Sequence, residues 1–99
     1  MGRARSVNLD TRNFAKVGDA RAFFSQMLNR YNIGETVNDE DHLDLIALLK
    51  LHDEHKEKVG AGILEFQVDS APDSHPGKCF WIIRTDRSKI DFSFMHCLK

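Results

Sequence analysis

The stretch Lys78-Cys79-Phe80-Trp81-Ile82-Ile83-Arg84-Thr85-Asp86-Arg87-Ser88-Lys89-Ile90-Asp91-Phe92-Ser93-Phe94 decides the fold of this chain. Aromatic and β-branched residues fill its two arms, and a short polar turn separates them, which is the pattern of a β-hairpin. Charge suggests the register. With Arg87-Ser88 as a two-residue loop, Asp86 faces Lys89 and Arg84 faces Asp91, two opposite-charge cross-strand pairs. With Asp86-Arg87 as the loop, Arg84 faces Lys89, which is unfavourable, so the first register is preferred. Both loops are even and give the same faces. Trp81, Ile83, Ile90, Phe92 and Phe94 then share the more apolar face, expected to carry the core, with Cys79 and His96 at its far end. Phe80, Ile82, Arg84, Asp91, Ser93 and Met95 share the other, a half-apolar face expected to lie open.

Upstream of the hairpin, residues 62–68 alternate, with Leu64, Phe66 and Val68 against Ile63, Glu65 and Gln67. That predicts a third strand with one wet face. Asp69 to Gly77 holds both prolines and reads as a loop. Further back the period changes. Ala20, Phe23, Phe24, Met27, Leu28 and Tyr31 form one stripe of an α-helix that begins at Gly18 or Asp19 and leaves near Gly34. Asn38 or Asp39 can cap a second helix that buries Leu45, Ile46, Leu48 and Leu49. The charged stretch from Lys50 to Lys58 ends or breaks it. Asn13-Phe14-Ala15-Lys16 reads as a short first strand. The expected fold is α+β, with two helices packed on one face of a small, mainly antiparallel sheet, in the order β-α-α-β-β-β. Residues 1–12 are expected to be a flexible tail and residues 13–99 a single domain.

At 99 residues one core without metal or disulfides is feasible. The net charge of −1 exerts no global pull toward nucleic acid or anionic membrane. The charge is unevenly placed, however. Residues 1–31 carry Arg3, Arg5, Arg12, Lys16, Arg21 and Arg30 against Asp10 and Asp19, whereas residues 32–57 are acidic. A basic patch at one end is one reading; chance segregation on solvated faces is the other. Cys79 and Cys97 are too few for a disulfide framework and fall on opposite faces of the expected sheet. No apolar run approaches the roughly 18 residues of a membrane span, and no secretory segment is visible. A reducing, cytoplasmic location without membrane contact is expected. Met1-Gly2-Arg3-Ala4-Arg5-Ser6 fits a myristoylation pattern, but so short a pattern matches often by accident.

A longer ordered set of residues carries a family resemblance. It comprises Phe23-Phe24 with Leu28-Asn29-Arg30-Tyr31, Gly34-Glu35, Asp44-Leu45 with Leu48-Leu49, His52, Lys58 with Gly60 and Gly62, Cys79-Phe80, Arg84-Thr85-Asp86 and Asp91-Phe92-Ser93. From about Phe14 to Cys97 the chain resembles the DeCL family, the "defective chloroplasts and leaves" proteins of plants and their bacterial relatives. Its shortness is similar to the bacterial-type, single-domain members. The family pattern has Asp-Gly in the hairpin turn. Here Arg87 follows Asp86, a departure that fits the shifted loop. The resemblance implies an RNA-associated accessory role of the ribosomal RNA processing type. It also implies a link to polymerases, since a related domain occurs at the tail of plant-specific RNA polymerase largest subunits. It implies no catalytic residue.

Four functional readings follow. For RNA binding, an open sheet face would offer Phe80 for stacking and Arg84, Arg87, Lys89 and Lys78 for phosphates. Arg12, Lys16 and Arg21 would join them if the first strand enters the sheet. The alternative is a protein-protein interaction or homodimerisation module using the same face, with a ribosome- or polymerase-associated partner. For an enzyme, Cys79 beside His96 is a thiol–imidazole pair without a third group or oxyanion donor, so no enzyme is expected. For a metal site, His52-Asp53-Glu54-His55 has helical spacing, and Cys79, His96 and Cys97 are further donors. No metal-binding signature is present, so no metal or other cofactor is expected and the histidines read as a surface helix end.

Overall fold

The computed structural model describes residues 6–71 and 77–98. It is α+β, as expected. Strands β1 (Val7–Asn8) and β2 (Asn13–Phe14) form an antiparallel ribbon. Helices α1 (Val17–Asn29), α2 (Asp39–Leu49) and α3 (His55–Val59) follow, and strands β3 (Ile63–Ser70), β4 (Lys78–Arg84) and β5 (Lys89–Phe92) make an antiparallel sheet. A last turn of helix, α4 (Phe94–Cys97), closes the domain. Phe94 therefore starts a helix capped by Ser93 rather than extending the hairpin.

The first helix forms as its stripe predicts. Ala20, Phe24 and Met27 are fully buried, and Phe23, Leu28 and Tyr31 flank them. Asp19 sits in its first turn, at the positive end of the helix dipole. The α2 cap is Asn38, whose side chain accepts from the Asp41 amide at 2.8 Å. Between the helices, Gly34 adopts φ +95° and its N–H reaches the Val68 carbonyl at 2.7 Å. Residues 34–37 then pair along β3 through Val37 to Phe66 and Val68 to Glu35, covering an otherwise open sheet edge.

Two expectations are corrected by the N-terminal segment. The short strand at Asn13 does not join the main sheet; it pairs with β1. Residues 6–12 are also not a loose tail, because Val7 and Leu9 are buried in the core. The apolar spacing of Val7 and Leu9 puts both on one side of the ribbon, and that burial holds it. The rest of the proposed tail, residues 1–5, lies outside the described residues. So do residues 72–76 of the expected proline loop, whose first residues, Asp69 and Ser70, are the end of β3.

The third correction concerns the hairpin. Neither even loop forms. The Arg84 amide donates to Ser88 O at 2.8 Å and the Arg87 amide to Arg84 O at 2.9 Å, leaving a three-residue loop of Thr85, Asp86 and Arg87. Arg87 takes φ +73°, the left-handed residue that such a loop requires. It occupies the place where the family pattern has glycine, so the departure does not shift the turn. An odd loop reverses one strand's faces relative to the other. Phe80 now opposes Phe92 and Ile82 opposes Ile90, with Trp81 opposite Asp91 and Ile83 opposite Lys89.

The physical reason lies in β3. Val68 faces Phe80 and Phe66 faces Ile82. Only in this register do all three strands put their apolar positions on one side. Each fully buried large side chain contributes about 1.5–3 kcal/mol, more than the roughly 0.2–1 kcal/mol of a cross-strand charge pair. Phe66, Phe80 and Phe92 accordingly form the centre of the core, with Phe80 stacked on Phe92 at 5.9 Å. A bulge between Ile63 and Glu65 puts Leu64 outside, contrary to its place in the alternating pattern.

Candidate functional site

Two places collect the functional candidates: the sheet face turned away from the helices, and a corner where α2 meets α4. The outer face presents Glu65, Gln67 and Asp69 from β3, Trp81 and Ile83 from β4, and Lys89 and Asp91 from β5. Trp81 is half-buried; its Nε1–H donates to Ser70 O at 3.0 Å, and the Lys89 ammonium lies 4.9 Å from its ring centroid. Lys89 also pairs with Asp69 at 2.7 Å, which holds the Asp69 carboxyl below its usual range. An open half-apolar face thus exists, but its aromatic is Trp81.

Most residues expected to bind RNA have structural partners. Phe80 is fully buried in the core, where no base can stack on it. Arg84 donates to the carbonyls of Lys58 at 2.9 Å and Glu57 at 2.7 Å, and to Ser88 Oγ at 3.2 Å. It thereby caps the last carbonyls of α3. Gly60 makes room for it, since a Cβ there would stand 2.8 Å from Arg84 Nε. Lys78 donates to Tyr31 O at 2.7 Å.

Arg12 holds Asp44 with two hydrogen bonds of 3.0 and 3.1 Å and lies over the Phe23 ring at 4.4 Å. Lys16, Arg21 and Arg87 are exposed; Lys16 and Arg21 belong to the start of α1 and Arg87 to the hairpin loop. Part of the uneven charge along the chain is cancelled in space. Arg12 meets Asp44, and Arg30 meets Asp41 at 2.6 Å, with the Tyr31 hydroxyl donating to the same Asp41 oxygen. Asp41 and Asp44 are buried, so this part of the acid-rich stretch is not a solvated face.

The second place was not anticipated in its final form. His52 and Asp53 follow α2, and His96 projects from α4. The His52 and His96 rings lie 4.4 Å apart at 34°. His96 Nε2 is 2.8 Å from Asp53 Oδ1, and His52 Nδ1 is 3.3 Å from the same oxygen. His52 is buried; burial, then the neighbouring His96 and Lys58, push its pKa below the ordinary imidazole value. The Glu54 amide donates to His52 Nδ1 at 3.0 Å. A pocket of about 300 Å³ opens beside the cluster, lined by Val7, Leu51, Asp53, His96, Cys97 and Leu98 among others. His55, the neighbour expected from helical spacing, is not in the group.

Burial disfavours the thiolate form of both cysteines. Cys79 donates to Phe92 O at 3.4 Å, and burial, helped by the Asp91 charge, pushes its pKa up to about 11. Burial pushes Cys97 up to about 12. Both are free cysteines. His96 turns to Asp53 and His52, so the thiol–imidazole pair imagined between Cys79 and His96 is not made.

A family model described as "Protein of unknown function (DUF3223)" matches residues 25–98. The chain belongs to the DUF3223 family. Three plant relatives share the domain. Protein EMBRYO DEFECTIVE 514 of Arabidopsis thaliana is 35% identical over 77% of this chain and 38% of its own length. Protein DCL, chloroplastic, of Solanum lycopersicum is 34% identical over 71% of this chain and 32% of its own length. DNA-directed RNA polymerase IV subunit 1 of Arabidopsis thaliana is 32% identical over 74% of this chain but only 5% of its own length. The chain therefore spans about a third of the first two relatives and a small part of the polymerase subunit. The solution NMR structure of an uncharacterized protein from Rhodospirillum rubrum superposes with a TM-score of 0.85 at 40% identity, covering 98% of this chain and 91% of that one. The family resemblance and the fold of this DUF3223 domain are thus borne out. Among the described residues, no helix is long and apolar enough to cross a membrane.

Proposed function

We propose that this DUF3223 domain is an accessory module of RNA-synthesising or RNA-processing assemblies, and that it joins them through a protein contact on the outer sheet face. The observation that carries this reading is the make-up of that face. Trp81 and Ile83 stand half-exposed, framed by Glu65, Asp69 and Asp91 against a single cation, Lys89. Aromatic residues anchor protein interfaces, whereas a face richer in carboxylates repels phosphates. Its complement is a basic, apolar-centred protein surface of a ribosome- or polymerase-associated partner. Similarity to a stretch of RNA polymerase IV subunit 1 supports the kind of assembly. Ribosomal RNA processing, implied by the family resemblance, is one such setting, and the domain itself carries no reaction in this reading.

The chain has one tryptophan, so 5-fluorotryptophan labelling places a single ¹⁹F reporter on this face. Unlabelled, purified RNA polymerase and ribosomes of the same organism are titrated into the labelled domain near physiological salt. We expect the Trp81 ¹⁹F signal to shift or broaden with one of them, and loss of binding in Gln67→Arg, which adds a cation to the face without touching the core. RNA alone at ~50 mM salt, where phosphate contacts are strongest, is expected to leave the signal unchanged. A salt-sensitive response to RNA alone would replace this reading with direct RNA binding. No response to either assembly or to RNA would overturn both.

A further inference from the structure

We propose that His52, Asp53 and His96 form a binding site for a divalent transition-metal ion at the edge of the pocket between α2 and α4. This site is separate from the sheet face and does not depend on the function proposed for it. Each residue supplies one ligand atom, and the three atoms lie within 4.8 Å of one another. Two imidazoles and one carboxylate are the donors that suit zinc and its first-row neighbours.

The two imidazoles converge on one oxygen of Asp53. His52 Nδ1 accepts the Glu54 amide proton at 3.0 Å, so in the neutral ring the proton sits on Nε2. That leaves the single Nδ1 lone pair, 3.3 Å from Asp53 Oδ1, as the His52 ligand atom, and a metal ion would take it over from the Glu54 amide. His96 brings a third donor atom to the same oxygen at 2.8 Å. The donors are held by the fold. His52 is buried at the end of α2, and His96 comes from a helix capped by Ser93 and packed on α2. A metal ion with three protein ligands keeps open coordination positions. Asp53 and His96 line the 300 Å³ pocket, which gives such positions room for water or a small ligand.

The test uses the intact chain and zinc or cobalt(II) ions alone. One equivalent of zinc should shift the ring nitrogens of His52 and His96 in ¹⁵N spectra and leave His42 and His55 in place. The apparent Kd should be about 10 μM or tighter, an affinity beyond loose surface binding. Cobalt(II) should give visible d–d bands with the same stoichiometry. His96→Gln and Asp53→Asn should each weaken binding at least about tenfold while the metal-free proteins keep wild-type circular dichroism. Both positions are partly exposed, so neither variant is expected to unfold the domain. Zinc that shifts His42 or His55 as readily, binding unaffected by both substitutions, or no shift at one equivalent would each overturn the site.

Discussion

Phe80 and Trp81 are neighbours on one strand, yet they belong to different parts of the molecule. Phe80 is wholly buried, in contact with Phe92 and Phe94. Trp81 points the other way, half-exposed under Lys89 and tied to Ser70. Read from cross-strand charge pairs and an even loop, the two arms suggest the opposite arrangement, with Trp81 inside. The difference teaches that a strand's inner face is set by its partners. Val68 and Phe66 of β3 choose Phe80 and Ile82, and the hairpin loop must then be odd.

The sharpest way to break this comparison is to truncate each neighbour in turn. Phe80→Ala should cost about 3–5 kcal/mol, the cost of a large cavity in a packed core. Trp81→Ala should cost only about 1–2 kcal/mol, for one hydrogen bond, a cation–π contact and partial burial. Urea unfolding followed by far-ultraviolet circular dichroism measures both. Equal losses would mean that both faces of β4 are packed, and the outer face would no longer be a candidate for docking.

The same inside–outside contrast separates two ion pairs. Asp44 is 3% exposed and is held bidentately by Arg12, whereas Asp69 is 29% exposed and pairs with Lys89. Asp44→Ala leaves the partly exposed Arg12 without its anchor on α2 and should cost about 1–3 kcal/mol, the usual buried-pair loss reduced because water reaches the arginine. It should also raise amide exchange in residues 7–14, since Arg12 ties the β1–β2 ribbon to α2. Lys89→Ala should cost no more than about 0.5–1 kcal/mol, the range of an exposed cation–π contact or ion pair. If the two substitutions proved equally mild, the ribbon would be held by Val7 and Leu9 alone.

What was legible in the sequence was local. The α1 stripe, the Asn38 cap and the wet face of β3 each arise within a few residues, so periodicity and capping rules find them. What was hidden is long-range. The burial of Asp41 and Asp44 depends on cations 11 and 32 positions away, and an acid-rich helix start looks the same whether solvated or paired. Asp53 and His96 are 43 positions apart, and His96 sits on a four-residue helix too short to leave a periodic signal. The one available hint was that His52 lies in the family's ordered residue set while His55 does not. The hairpin faces failed for a subtler reason. No glycine marks the left-handed position of a three-residue loop here, so the residues themselves point to an even one.

That missing glycine gives the smallest predicted effect and the most direct test of the register. Arg87 holds φ +73° without being glycine. A non-glycine residue in this conformation costs about 1–2 kcal/mol, and glycine would return roughly 0.5–1 kcal/mol of that as unfolded-chain entropy. Arg87→Gly should therefore stabilise the domain by about 0.5–1 kcal/mol, seen as a higher urea midpoint with an unchanged slope. Arg87→Val should do the reverse, since a β-branched side chain resists the left-handed region. In both variants, backbone contacts should still pair Phe80 with Phe92. Were glycine destabilising, or were the pairing to move to an even loop, the odd loop would not be what turns Trp81 outward. The inner place of Phe80 would then have to come from β3 pairing alone.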